Sequence, residues 1–156
     1  MATHLYKFLN IIVLVSGAVT LTSPLQVQAA LGEQERSIET DQLRMKSSFT
    51  KRVNQLYTVH ELVAPYGTTV MEYSTHNGLV FAVSWHGPHQ PELRQLLGSY
   101  FNLYKNAPRS STSSRNQASV NLPNLVVLSA GHMRAFSGIA YDPKLLPNNL
   151  NLDEIK

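Results

Sequence analysis

The sequence predicts an α+β domain, with an antiparallel sheet of about five strands in the order α-β-β-β-α-β-β and helices packed on one face. Three observations carry this. Apolar residues alternate between positions 56 and 85 in runs separated by turn residues, which is the pattern of a strand meander. One strongly amphipathic helix follows at 91–105. No rhythm of parallel βαβ units occurs, so the helices lie apart from the sheet rather than between its strands.

The first thirty residues stand outside this domain. A single cation, Lys7, precedes an apolar run from Phe8 to Leu21 that Asn10, Ser16, Gly17 and Thr20 interrupt. A membrane-spanning helix needs roughly 20 apolar residues, so the run is short. Thr22-Ser23-Pro24 breaks it, and Val27-Gln28-Ala29 offers the small residues a signal peptidase accepts. Residues 1–29 are therefore expected to be a cleavable signal peptide, cut between Ala29 and Ala30, leaving 30–156 as a single exported domain. A retained anchor is the alternative, and Pro24 argues against it.

The chain has no cysteine. This excludes disulfide staples, thiol catalysis, thiolate metal sites and a lipid-modified N-terminal cysteine. The formal net charge of +3 falls to +2 once Lys7 is removed, and the basic residues are dispersed, with only Lys51-Arg52 adjacent. A nucleic-acid reader needs a basic patch interleaved with aromatics, so no nucleic-acid partner is expected.

The elements follow in order. An amphipathic helix is expected from about Glu33 to Ser48, with Ile38, Met45 and Phe49 on one stripe and Gln42 between them. Leu56–Val63 reads as a strand, and Ala64-Pro65-Tyr66-Gly67 as a type I turn. Thr68–Ser74 is the second strand, with Met71 and Tyr73 on one face and Val70 and Glu72 on the other. Asn77-Gly78 signals a tight hairpin with both residues at φ > 0. Leu79–Trp85 is the third strand, placing Leu79, Phe81, Val83 and Trp85 on one side and Val80, Ala82 and Ser84 on the other. Pro91 opens a helix whose Leu93, Leu96, Leu97, Tyr100 and Tyr104 recur at helical spacing as far as Lys105. The polar tract at about 107–122 is expected to be a flexible loop. Leu125–Ser129 and Met133–Tyr141 form a last hairpin around Ala130-Gly131, and the end of the chain forms one helical turn.

No motif for phosphate binding, zinc hydrolysis or an α/β-hydrolase serine is present. Paired acids occur only at polar positions (Glu33/Glu35, Glu39/Asp41, Asp153/Glu154), where they read as solvated faces. His86 and His89 flank Gly87-Pro88, but nothing in the spacing brings them a third ligand, so turn histidine is the better reading. His132 and Arg134 could together hold an anion. The plainer alternative pairs Arg134 with an acid such as Glu72 across the sheet.

Several blocks taken together resemble a known family. They are Tyr57–Glu61, Val80–Val83 with Trp85 and Gly87-Pro88, Leu93–Phe101, and Gly131–Phe136 with Leu145-Leu146-Pro147. They are similar to an uncharacterised family of small exported proteobacterial proteins, the domain of unknown function numbered 2844. The resemblance covers nearly all of 30–156, and Leu93–Phe101 and Gly131–Phe136 are its specific parts. It implies a periplasmic or secreted location in a Gram-negative bacterium and no particular activity. His60, His132 and Arg134 lie inside the matched blocks, whereas the family pattern does not ask for histidine at His86 and His89.

The expectation is a non-enzymatic binding module of the bacterial envelope. It would offer a sheet edge, or the face around His132, Arg134 and Tyr141, to an envelope protein, a peptide or a glycan. His60, Trp85, His132, Arg134 and Tyr141 are the candidate binding residues. No catalytic residue, cofactor or metal ligand is assigned, and no membrane span remains after signal cleavage. The alternative is a small periplasmic hydrolase or metal-binding protein using His60, His132 and Arg134.

Overall fold

A computed structural model describes residues 31–108 and 117–155. The expected signal segment and its cleavage site lie outside these residues, as do positions 109–116 of the polar tract. The described chain forms one seven-stranded antiparallel sheet in the order β1-β2-β3-β4-β7-β6-β5. Its strands are β1 (Ser48–Val53), β2 (Thr58–Val63), β3 (Thr69–Ser74), β4 (Val80–Gly87), β5 (Gln117–Leu122), β6 (Leu125–His132) and β7 (Ala135–Tyr141). Three short helices join them: α1 (Ile38–Met45) before β1, and α2 (Leu93–Leu97) and α3 (Phe101–Asn106) between β4 and β5. The α+β class stands, and the expected five strands become seven.

Both added strands lie at the edges. The expected helix to Ser48 ends early because Lys46 turns left-handed at φ 49°, after which Ser48–Val53 pairs with β2 as a fully exposed strand. Position 46 is lysine, not glycine, so nothing local marks it as a helix end. At the other edge, Gln117–Leu122 pairs with Leu125–Ala130 across a two-residue turn, Pro123-Asn124. Its few apolar residues hid it inside the polar tract.

The 91–105 helix is also divided. Gly98 takes φ 48° and ψ −120°, ending α2, and a 3₁₀ turn at Gly98–Tyr100 re-aims the chain into α3. Leu93, Leu96 and Leu97 are still buried, and Tyr100, Phe101 and Tyr104 pack against the same core. An L-residue at that backbone conformation is strained, so Gly98→Ala is expected to destabilise the protein by about 1–3 kcal/mol despite alanine's helix propensity. Urea unfolding measures this, and an unchanged midpoint would refute it.

The meander contains one irregularity with consequences for both faces. Ser74 pairs with Val80 and Tyr73 with Ala82, so Phe81 is an extra residue in a β-bulge. The bulge reverses the alternation before it. Val80 joins Val83 and Trp85 in the core under the helices, while Phe81 and Ala82 both belong to a second core with Tyr57, Tyr73 and Ile139. The strict alternation expected along 79–85 is corrected accordingly; Val70 and Glu72 do oppose Met71 and Tyr73 as expected. The Ala64–Gly67 turn closes through the Gly67 amide donating to the Ala64 carbonyl at 2.9 Å. At 75–79 only Gly78 takes positive φ, so that loop is wider than the expected two-residue turn. The last hairpin turns at Met133-Arg134 rather than Ala130-Gly131, with Arg134 at φ 60°.

The two faces of the sheet are covered unequally. Leu31, α1, α2 and α3 cover the first face over Leu62, Val70, Val83, Trp85, Val127 and Ala140. On the second face the C-terminal tail lays Leu145, Leu146, Leu150, Leu152 and Ile155 against Tyr57, Tyr73, Phe81 and Ile139. The tail ends in the expected single helical turn, Leu152–Ile155. It covers the half of that face nearest Tyr73 and Phe81, and among the described residues nothing covers the other half.

Candidate functional site

Two places concentrate polar or unfilled features: a polar column under the helices, and a groove on the open half of the second face.

The column is set by register. His60 on β2 and Glu72 on β3 are cross-strand partners, so both side chains point to the helix-covered face. Asp41, one turn along α1 from buried Ile38, meets Glu72 there. Asp41 and Glu72 are both 0% exposed. The Gln95 amide of α2 donates to Asp41 Oδ1, while neither oxygen of Glu72 has an N–H or hydroxyl donor. Two ionised carboxylates in contact in a dry interior repel each other, so the pair must hold a proton between them. Burial, reinforced by the neighbouring Asp41, raises Glu72 well above the ordinary carboxyl range. Burial likewise pushes Asp41 up to about 6, with the hydrogen bond from Gln95 opposing it. The pair is sealed from substrate and is structural.

His60 is 1% exposed and stacks on Phe49 at 5.7 Å between ring centroids. Its Nε2 lies 3.2 Å from Ser74 Oγ and 3.3 Å from Glu35 Oε1, and Lys51 pairs with the same Glu35 oxygen. Burial lowers its pKa, Glu35 opposes this, and Lys51 adds to it. His60 is thus neutral near pH 7. In a Ser-His-acid relay the serine and the acid take opposite ring nitrogens. Here both approach Nε2, Nδ1 is left without a partner and Ser74 is fully buried, so the group cannot deliver an activated serine. A mixed-charge cleft of about 480 Å³ outside it is lined by Glu35, Phe49, Lys51, His60 and His76.

The groove is larger, about 670 Å³, and lies across β3, β4, β7, β6 and β5. Two cross-strand rows form its floor: Met71, Ser84, Ile139, Leu128 and Ser119, then His86, Ser137, Ala130 and Gln117. No Asp, Glu, Lys or Arg lines it. Leu128 is 44% exposed, a large apolar side chain left open to water on a sheet face. Trp85, the only tryptophan of the chain, is also a lining residue and is held beneath Gly138.

The candidate residues read from the sequence are not brought together. His60 is buried in β2, and His132 and Arg134 are exposed at the tip of the β6–β7 hairpin. β2 and β6 are four strand spacings apart, about 19 Å. Arg134 does not pair with Glu72, which is buried against Asp41. Tyr141 packs with the second core beside the tail, and Trp85 is buried. His86 lines the groove, and the His89 carbonyl accepts from Thr68 Oγ1 at 2.8 Å. No group of three or more His, Asp or Glu among the described residues could hold a metal ion. No helix among them is long and apolar enough to cross a membrane. Asp41 and Glu72 were missed as a pair. An acid at Ile38+3 on a buried helix stripe, and one on the same strand face as Val70, were the signals.

Among known families, the one described as Protein of unknown function (DUF2844) matches residues 27–155. No match was found among curated proteins or among solved structures.

Proposed function

Since the chain belongs to the DUF2844 family, whose description assigns no activity, we propose from geometry that this domain is a binding module for an uncharged, largely apolar ligand, held in the groove on the open half of the sheet. The carrying observation is the lining: Met71, Leu128 and Ile139 among serines, without an Asp, Glu, Lys or Arg, on a face whose other half the chain's own leucines cover. A concave, mostly apolar surface with a few polar groups is the usual form of a ligand site. The expected export signal makes the bacterial envelope the compartment of this binding. Reading the module as a binder rather than an enzyme follows from the sealed Asp41–Glu72 pair and the misdirected His60, neither of which offers chemistry to a ligand in the groove.

The test uses a neutral apolar dye, N-phenyl-1-naphthylamine, with Trp85 emission as reporter. Saturable binding is expected, and Leu128→Lys should weaken it about tenfold, the equivalent of roughly 1.4 kcal/mol. A dye signal that does not saturate, or that Leu128→Lys leaves unchanged, would remove the groove as the site.

A further inference from the structure

We propose that the natural occupant of the groove is an extended, uncharged peptide segment that joins the sheet as an eighth strand along β5. This rests on reading the groove as a binding surface, and adds which ligand fills it and how.

The two edges of the sheet differ in the way that decides which can accept a strand. β1 carries Lys51 and Arg52, which pair with Glu35 and Glu61, so an incoming strand there meets a line of charge. Charged side chains are the usual protection of an edge. β5, reading Gln-Ala-Ser-Val-Asn-Leu, has no charge and no proline, and among the described residues no strand pairs with its outer side. The unprotected edge is also the one that borders the groove, because Gln117, Ala118 and Ser119 of β5 are lining residues.

Register fixes what the edge offers. The two-residue turn closes the β5–β6 hairpin on the pair Leu122–Leu125, a hydrogen-bonded pair in such hairpins. Alternation then directs the amides of Val120 and Ala118 into β6, and those of Asn121, Ser119 and Gln117 outward. These three are the residues whose side chains share the groove face with Leu128 and Ala130. An added strand therefore hydrogen-bonds to Gln117, Ser119 and Asn121 and lays every second side chain along the groove. Because no Asp, Glu, Lys or Arg lines the groove, a charged side chain there would lose hydration with no carboxylate, ammonium or guanidinium to pair with it. The segment recognised is accordingly one with uncharged residues at alternating positions, as strand-adding domains read their partners.

The probe is an end-labelled, capped octapeptide alternating valine with threonine, titrated by fluorescence polarisation against residues 30–156. Saturable binding is expected, lost when the valines are replaced by glutamate and weakened at least tenfold by Ser119→Pro, which deletes one outward amide. The circular-dichroism spectrum and a cooperative thermal melt of Ser119→Pro report that the variant is folded. A measurement that leaves the protein untouched uses the peptide N-methylated at alternate amides in its two phases: one phase should abolish binding and the other retain it. Equal binding of both phases, or an unchanged affinity in Ser119→Pro, overturns strand addition. If the dye binds and no peptide does, this inference fails while the groove remains a site; if neither binds, both fail. Should sedimentation show a dimer that Ser119→Pro dissociates, a second copy is the occupant and the peptide proposal is overturned.

Discussion

Glu72→Gln is expected to raise the melting temperature at pH 8 and to flatten the loss of stability with rising pH above 6.5. The sign follows from linkage. Both carboxyls have folded-state pKa values above their unfolded ones, Asp41 at about 6 and Glu72 well above the ordinary carboxyl range. The folded state therefore binds more protons, and its stability decreases as pH rises from the unfolded values through the folded ones. Glutamine at position 72 can instead donate to Asp41, which already accepts from Gln95, so the remaining carboxylate ionises with two donors and no rival charge. The burial that raises Asp41 persists in the variant, so the gain comes from removing the Glu72 carboxyl, whose burial and contact with Asp41 both oppose its ionisation, and a rise of a few degrees in melting temperature is expected at pH 8. His60 works in the opposite direction: its lowered pKa gives stability that is present above pH 6.5 and lost as pH falls through the folded value. Above pH 6.5, where His60 no longer adds a slope, the wild type should lose stability with rising pH through the carboxyl pair, and Glu72→Gln should flatten that slope. Thermal melts of both proteins across pH 4–9 decide this, and a parallel alkaline slope in the variant would show that the pair does not hold the proton.

A second large effect is expected at Gly138. A β-carbon added there would stand 2.3 Å from Trp85 Cζ2 and 2.9 Å from the Leu128 carbonyl oxygen. The indole lies in the first core, with Trp85 and Gly138 paired directly across β4 and β7. Neither the ring nor the backbone of β6 can yield, so Gly138→Ala should cost about 3 kcal/mol, the upper end of overpacking. Trp85→Ala alone should cost about 3–5 kcal/mol through the cavity it leaves. In a Trp85→Leu background the Gly138→Ala penalty should fall by the part due to the ring, leaving the part due to the Leu128 carbonyl. A double-mutant cycle in urea measures that coupling, and strict additivity would disprove the contact.

The parts of the fold that the sequence disclosed are those where packing and local preference agree. The turn at Ala64–Gly67, the strands Thr69–Ser74 and Val80–Gly87, and the buried stripe Leu93–Leu96–Leu97 all combine apolar periodicity with proline or glycine punctuation. The parts that stayed hidden are set by tertiary contacts. β1 and β5 are edge strands, and edge strands need little apolar content, so Ser48–Val53 read as the end of a helix and Gln117–Leu122 as a loop. Phe81 is apolar like its neighbours, and nothing local marks it as the bulged residue; only the pairing of Tyr73 with Ala82 does. The division at Gly98 was visible as a glycine, yet a glycine within a helical pattern more often stays helical at a small cost.

The candidate site was still less legible. Its lining comes from five strands, and its shape depends on which strands the tail crosses, which no window of sequence contains. The histidines drew attention because of their chemistry, and register then buried His60 and left His132 and Arg134 on a distant hairpin tip. What the sequence did hold was the composition of β5. An uncharged run beside a polar tract becomes informative only once it is known to be a free edge.

The most direct measurement is amide hydrogen exchange by NMR on residues 30–156, with and without saturating valine–threonine octapeptide. Slowed exchange is predicted at the outward amides of Gln117, Ser119 and Asn121, with β1 unchanged. Protection that appears along β1, or at no amide of β5, would contradict the account.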